Sequence, residues 1–159
     1  IDRDPQGRDT LFGTTLRNIA EEERAMKAGL APGQVRPGLR LFREMLRLLE
    51  RFASRLGTSI ISCEALFYHN AVQYEKYGFG YLEGRKMMEE IDREFLPAGN
   101  LFERLDHSTP FRRKGAEKSA RGRSWAIQDG ILGRPWTSPK LYKPVGKIVG
   151  VNTFHGNVY

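Results

Sequence analysis

A strongly amphipathic stretch over residues 39–56 constrains the fold more than any other feature of the sequence. Its large apolar residues recur at helical spacing, at Leu39, Phe42, Leu46, Leu49 and Phe52, and the same face is widened by Leu41, Met45, Leu48 and Leu56. Gly57 is a natural stop for such a helix. The pattern therefore predicts a long helix whose broad apolar face must be covered by other parts of the structure.

A short strand and further helices are predicted around this helix. Residues 58–63 form an apolar run that is typical of a strand, and a helix–glycine–strand step is half of an α/β unit. Helical spacing predicts additional helices over residues 67–76 and 83–95, and an earlier one over residues 14–28 that is capped by a threonine. We therefore expect an α/β (α+β) fold.

The cysteine and histidine content limits the chemistry of the chain. Cys63 is the single cysteine, which excludes an intramolecular disulfide framework and a cysteine-only zinc site. His69, His107 and His155 lack metal-ligand spacing, so we expect no metal. No apolar run approaches the roughly 18 residues of a membrane span, so we expect no span and a reducing, cytoplasmic setting.

Positive charge is concentrated towards the C-terminal end. The chain has a net charge of +7, and residues 107–147 alone contain ten basic and two acidic residues, a net charge of +8. This shift in composition predicts two regions, residues 1–106 and a basic, loop-rich extension over residues 107–159. Within the extension, residues 125–127 and 147–151 are candidate strands.

Aromatic residues are interleaved with the basic residues of the extension. Phe111, Trp125, Trp136 and Tyr142 lie among the arginines and lysines. Such a mixture can bind single-stranded nucleic acid through phosphate attraction and base stacking. It is also typical of a segment that packs its aromatic side chains on the domain. We favour packing, because the segment contains no known nucleic-acid motif.

Residues 34–81 carry a family resemblance. After the long helix and the strand come Asn70-Ala71, then Tyr74-Glu75-Lys76, then Gly78-Phe79. This order and spacing resemble the C-terminal half of the GNAT (N-acetyltransferase) superfamily, over roughly a third of the chain. The resemblance implies a mixed sheet flanked by helices, acetyl-CoA or another acyl-CoA as cofactor, and an amine as acyl acceptor.

The resemblance also implies which residues bind the cofactor. A helix that begins after a turn offers free N–H groups and a positive dipole end to a pyrophosphate. The residues expected to hold coenzyme A are those of this turn and the helix start, Gln34, Arg36, Gly38, Leu39 and Arg40, together with Asn70 near the start of the next helix.

Two residues are the expected catalytic groups. Acyl transfer to an amine requires an acid that protonates the departing thiolate and a base that deprotonates the amine. By resemblance, Tyr74 points at the thiol and is the acid, facing a splay between the strand at residues 58–63 and its neighbour. Glu64, at the end of that strand, is the candidate base on its position alone.

Other interpretations of the same residues stay open. An arginine stripe over residues 36–55 would share one helix face, which is typical of a solvated surface, while its first members, Arg36 and Arg40, could meet a phosphate. A non-catalytic basic module that contacts nucleic acid or an acidic partner is the alternative function. A homodimer is a further partner arrangement.

Overall fold

The computed structural model describes residues 17–156. Its helices are α1 (Ile19–Lys27), α2 (Phe42–Arg55), α3 (Tyr68–Lys76), α4 (Arg85–Glu94), α5 (Asn100–Glu103) and α6 (Ala120–Gln128). Its strands are β1 (Ile60–Glu64), β2 (Gly80–Glu83) and β3 (Lys140–Pro144). The expected mixture of helices and strands is confirmed over this part of the chain. The predicted start of the first helix, residues 14–16, lies outside the described residues.

The sheet is antiparallel throughout the described residues. Its strand order is β1-β3-β2, with Ile60 of β1 opposite Pro144 of β3 and Gly80 of β2 opposite Tyr142. β3 therefore runs between two strands that are close in sequence. The mixed sheet implied by the family resemblance is replaced here by one with purely antiparallel pairing.

One main core is built from both predicted regions. Tyr68 of α3 and Phe95 after α4 are almost completely buried with Ala126 of α6 and Leu141 of β3 in the same cluster. Residues on both sides of position 106 thus share a single apolar interior. The basic C-terminal region supplies the central strand of the sheet and a buried helix.

Residues 125–127, predicted as a strand, belong to helix α6, so this prediction was wrong. Ser119 caps the helix by accepting a hydrogen bond from the Gly122 N–H at 3.0 Å. A Cβ at Gly122 would lie 2.5 Å from the Ala116 carbonyl oxygen, so the glycine permits close packing on the preceding 3₁₀ turn. The buried Trp125 indole donates a hydrogen bond to the Leu30 carbonyl at 2.8 Å.

The strand predicted over residues 147–151 is also wrong. This segment has no regular structure and lies along the glycines beside β2, where the Val149 N–H donates to the Gly78 carbonyl at 3.1 Å. A Cβ at Gly80 would lie 2.8 Å from the Val149 side chain. The segment therefore covers one side of β2 without extending the sheet.

Helix α2 is fixed to the sheet by one ion pair. The Lys143 ammonium of β3 is almost fully buried and donates to the Glu50 carboxylate at 2.9 Å. The same carboxylate accepts a hydrogen bond from the Gly146 N–H at 3.0 Å. Burial opposes ionisation of Glu50, but these two donors outweigh it and lower the pKa of the carboxyl. Among residues 17–156, no helix has the length and apolarity required to cross a membrane.

Candidate functional site

The start of helix α2 is an open helix end. Leu41 occupies the N-cap position, and no side chain caps the free N–H groups of the first turn. Arg36, Gly38, Leu39 and Arg40 in the preceding loop are all exposed. This end of the helix therefore presents unsatisfied donors and a positive dipole to solvent, which suits an anion.

Three arginines lie at this helix end, together with one acidic residue, Glu44, in the first turn of α2. Arg36, Arg40 and Arg43 are exposed, and none of them forms an ion pair within the described part of the chain. Arg40 has a φ of 60°, in the left-handed region that side-chain-bearing residues rarely adopt. Pro37 contributes no N–H to the loop, so the positive charge here comes from guanidinium groups and the helix end.

Gln34 braces the turn that precedes this loop. Its side-chain oxygen accepts a hydrogen bond from the Ala31 N–H at 2.8 Å. Gly33 packs so closely on the Phe67 ring that a Cβ there would lie 2.5 Å from a ring carbon. Phe67 directly precedes α3, so the structure places the turn containing Gln34 against the start of the helix that carries Asn70.

Tyr74 lies beside the start of α2. Its ring packs against Phe42, the first residue of α2, with centroids 5.6 Å apart, and against Phe79 at 5.2 Å. Burial, and secondarily the nearby Cys63 thiol, raise the pKa of the half-buried Tyr74 phenol. Tyr74 is thus protonated at neutral pH and next to the basic helix end.

Asn70 is oriented by a buried histidine that the sequence did not identify as a site residue. The Asn70 amide nitrogen lies 3.3 Å from His69 Nε2, and His69 Nδ1 lies 2.9 Å from the Ser124 hydroxyl. An amide NH₂ can only donate, so Nε2 is the acceptor and Nδ1 carries the proton. Burial, reinforced by the charge of Arg121, lowers the pKa of His69 to about 4.

Glu64 is not brought together with Tyr74. Side chains alternate between the two faces of a strand, so Cys63, which faces Tyr74, and the adjacent Glu64 point to opposite faces of β1. Burial raises the pKa of the Cys63 thiol to about 11, so it is a weak nucleophile at neutral pH. The expected splay beside β1 is replaced by pairing with β3 along the whole strand.

The basic extension is partly structural and partly exposed. Six of its basic residues are exposed, namely Arg113, Lys114, Lys118, Arg134, Lys140 and Lys147. Arg112 is paired with Asp129 at 2.8 Å and Arg123 with the buried Asp92, while Phe111 and Trp125 are buried and stacked 5.2 Å apart. Arginines paired in this way and aromatic rings buried in this way are not free to bind phosphates and bases.

Two buried carboxylates hold the end of the described chain, and no sequence signal identified them. Glu75 of α3 accepts hydrogen bonds from the Thr153 N–H at 3.0 Å and from the Tyr81 hydroxyl. Asp92 of α4 lies with one carboxylate oxygen 2.6 Å from His155 Nδ1, and it also accepts a hydrogen bond from Arg123. Their partners are far away in sequence, so only the folded structure reveals these contacts.

Comparisons with protein-family models, with curated proteins and with solved structures find no match to this chain. Within residues 17–156, no group of three or more histidine, cysteine, aspartate or glutamate side chains is arranged to hold a metal ion. The chemistry of the site therefore has to be inferred from the residues at the start of α2 and around Tyr74.

Proposed function

We propose that the protein is an acyltransferase that moves an acyl group from acyl-CoA to an amine. One observation carries the proposal, the contact between Phe42 and Tyr74 at 5.6 Å. This contact places a helix end suited to phosphate and a protonated phenol side by side. The GNAT resemblance of residues 34–81 predicts that these two features belong to one site.

The start of α2 would hold the phosphates of the cofactor. Coenzyme A is a polyanion, and Arg36, Arg40 and Arg43 supply three exposed positive charges around uncapped N–H groups. Guanidinium groups bind phosphate oxygens through paired, charge-assisted hydrogen bonds. Asn70, held by His69, would contribute an oriented amide to the pantetheine arm or its phosphates.

Tyr74 would supply the proton that the departing thiolate requires. Acyl-CoA provides the thioester, the amine nitrogen forms the new C–N bond, and the C–S bond breaks. The raised pKa keeps the phenol protonated until the thiolate develops. The proton lost by the amine passes to water, because Glu64 faces the other side of β1.

The alternative function, a non-catalytic module for nucleic acid or an acidic partner, retains less support. Its basic segment has Arg112, Arg123 and Lys143 in ion pairs, and its aromatic residues lie largely in the interior. The arginines that are exposed and form no ion pair in residues 17–156 include those at the start of α2. The uncapped N–H groups there favour a phosphate group as the ligand.

Calorimetric titration of the full chain with acetyl-CoA tests the proposal. Each charge-assisted hydrogen bond contributes roughly 1.5–3 kcal/mol, so Arg36→Ala and Arg40→Ala should each weaken binding about tenfold or more. Lys86→Ala removes an exposed charge from α4 and serves as the matched control. The absence of binding by the folded chain would refute the proposal.

A second experiment isolates the proton donor. Tyr74→Phe should leave acetyl-CoA binding unchanged and slow thiol release with a panel of primary amines about a hundredfold or more. Tyr77→Phe is the control, because Tyr77 also packs on Phe42, at 4.7 Å. Equal rates for the two variants would remove Tyr74 from the mechanism.

A further inference from the structure

Half of the apolar face of α2 lies open to solvent. Leu46 and Ala53 are buried against the domain. A second set of large apolar residues, here called the α2 stripe, is between 47% and 64% exposed and consists of Leu41, Met45, Leu48, Phe52 and Leu56. Five such residues on one helix face form a contiguous apolar patch, which marks an interaction surface.

The α2 stripe lies on the side of the helix turned away from the central strand. Glu50 contacts Lys143 and Gly146 at the end of β3. At 100° per residue, Leu48 and Phe52 lie roughly 160° around the helix from Glu50. The stripe is thus directed away from β3, whose neighbour β1 packs against α2 and ends the described sheet.

The outer edge of β1 is unpaired in the described residues. The Ser59 carbonyl and the Ala65 N–H both bond to the β3 side, so odd-numbered residues of β1 direct their backbone groups towards β3. Ile60, Ser62 and Glu64 consequently direct their N–H and C=O groups outwards. Such an edge can accept another strand.

We propose that a second copy of this chain covers both surfaces. The two β1 edges pair antiparallel about Ser62, which makes a six-stranded sheet across a twofold axis. The same axis brings the two α2 stripes together in antiparallel contact centred between residues 48 and 49. This assembly does not depend on acyl transfer.

The α2 stripe is complementary to itself in this arrangement. With the axis between residues 48 and 49, Leu41 faces Leu56 of the second copy, and Met45 faces its Phe52. Glu44 then lies opposite position 53, between Arg51 and Arg55 of the second copy. These exposed arginines have no ion pair among residues 17–156, so the acid of each copy meets cations of the other.

A second copy fits the surface better than a membrane or a nucleic acid does. Lipid would leave the outward backbone groups of β1 without hydrogen-bond partners. Nucleic acid could pair with the arginines but would leave the α2 stripe uncovered. Five half-exposed apolar side chains together with a strand edge are on the scale of the roughly 800 Å² that each partner buries in a stable interface.

Sedimentation equilibrium of the full chain over the micromolar range tests the proposal. We expect the parent chain to sediment at twice the chain mass. Leu48→Glu and Ser62→Pro should each weaken association at least a hundredfold, and urea unfolding verifies that both variants are folded. Leu82→Glu changes a similarly exposed leucine on β2 and should remain dimeric.

A charge exchange verifies the register. Glu44→Arg should weaken association about tenfold, and adding Arg51→Glu and Arg55→Glu in the same chain should restore it, because every cross-copy pair is then inverted. A monomeric parent chain would overturn the proposal. An assembly that ignores both Leu48→Glu and Ser62→Pro, including one formed with lipid vesicles or nucleic acid, would overturn it as well.

Discussion

Helices α2 and α6 have opposite relations between sequence pattern and environment. α2 has the clearest amphipathic pattern in the chain, yet only Leu46 and Ala53 of its 14 residues are buried. α6 shows no amphipathic face in the sequence, yet six of its nine residues are buried, including the charged Arg123. The helix that looks most like a core element is the more exposed one.

The difference between α2 and α6 shows that an amphipathic pattern predicts a helix but not the burial of its apolar face. Apolar spacing indicates that a helix forms and that one face avoids water, but it does not identify the covering surface. In α6, a buried charge is tolerated because Arg123 donates to Asp92, to the Tyr68 hydroxyl at 3.2 Å and to the Glu117 carbonyl at 2.7 Å. Substitutions in the two helices should therefore behave differently.

The largest effect is expected where the α6 charge loses its partner. Asp92→Asn keeps the shape of the side chain but leaves the buried Arg123 without a counter-charge, which should lower the free energy of unfolding by about 3–5 kcal/mol. Urea unfolding measures the change. Glu89→Gln, at a less buried ion pair on the same helix, should cost under about 1 kcal/mol. Similar losses for the two variants would contradict a structural role for the buried pair.

The second-largest difference is expected between truncations of an apolar side chain in α6 and in α2. Ile127→Ala in α6 removes buried volume and should cost about 2–4 kcal/mol at any protein concentration. Leu48→Ala in α2 should cost under about 0.5 kcal/mol in dilute solution, and more as the concentration rises. Thermal unfolding at several concentrations compares them, and a loss from Leu48→Ala that is independent of concentration would mean that the stripe is covered within one chain.

A smaller effect on the free energy of unfolding is expected when the pH is lowered, because His69 joins α3 to α6. His69 bonds to Ser124 of α6 in its neutral form, with its pKa lowered to about 4 by burial and by Arg121. The unfolded chain binds this proton below about pH 6.5, so stability is complete above that pH and declines towards pH 4. From pH 7 to 4.5 we expect a loss of about 2–3 kcal/mol, which His69→Gln should largely abolish. An unchanged pH profile in this variant would assign the loss to other groups.

The elements predicted most accurately are those governed by local pattern. The helix predicted over residues 39–56 is α2 at Phe42–Arg55, and the one over residues 83–95 is α4 at Arg85–Glu94. The strand β3 could not be identified, because Lys143 is buried there only through its distant partner Glu50. Local sequence patterns cannot predict an ion pair between residues that are some 90 positions apart.

The residues of the candidate site also divide into those that the sequence could predict and those that it could not. Arg36 and Arg40 could be proposed because they lie at a turn and a helix start that local sequence defines, and Tyr74 was proposed from the family resemblance. His69 could not be recognised as a support for Asn70, since its partner Ser124 is 55 residues away. Glu64 was chosen for its position in the chain, and strand alternation directs it to the opposite face from Tyr74.

Residue-resolved amide hydrogen exchange of the full chain, with and without acetyl-CoA, tests most directly whether α2 is the functional helix and α6 a purely structural one. We predict that acetyl-CoA slows exchange in the first turn of α2, at Phe42, Arg43 and Glu44, and leaves α6 unchanged. We also predict that raising the protein concentration alone slows exchange at Ile60, Ser62 and Glu64 of β1. If exchange in α2 does not respond to acetyl-CoA, and exchange in β1 does not respond to protein concentration, then both the cofactor site at α2 and the dimer are contradicted.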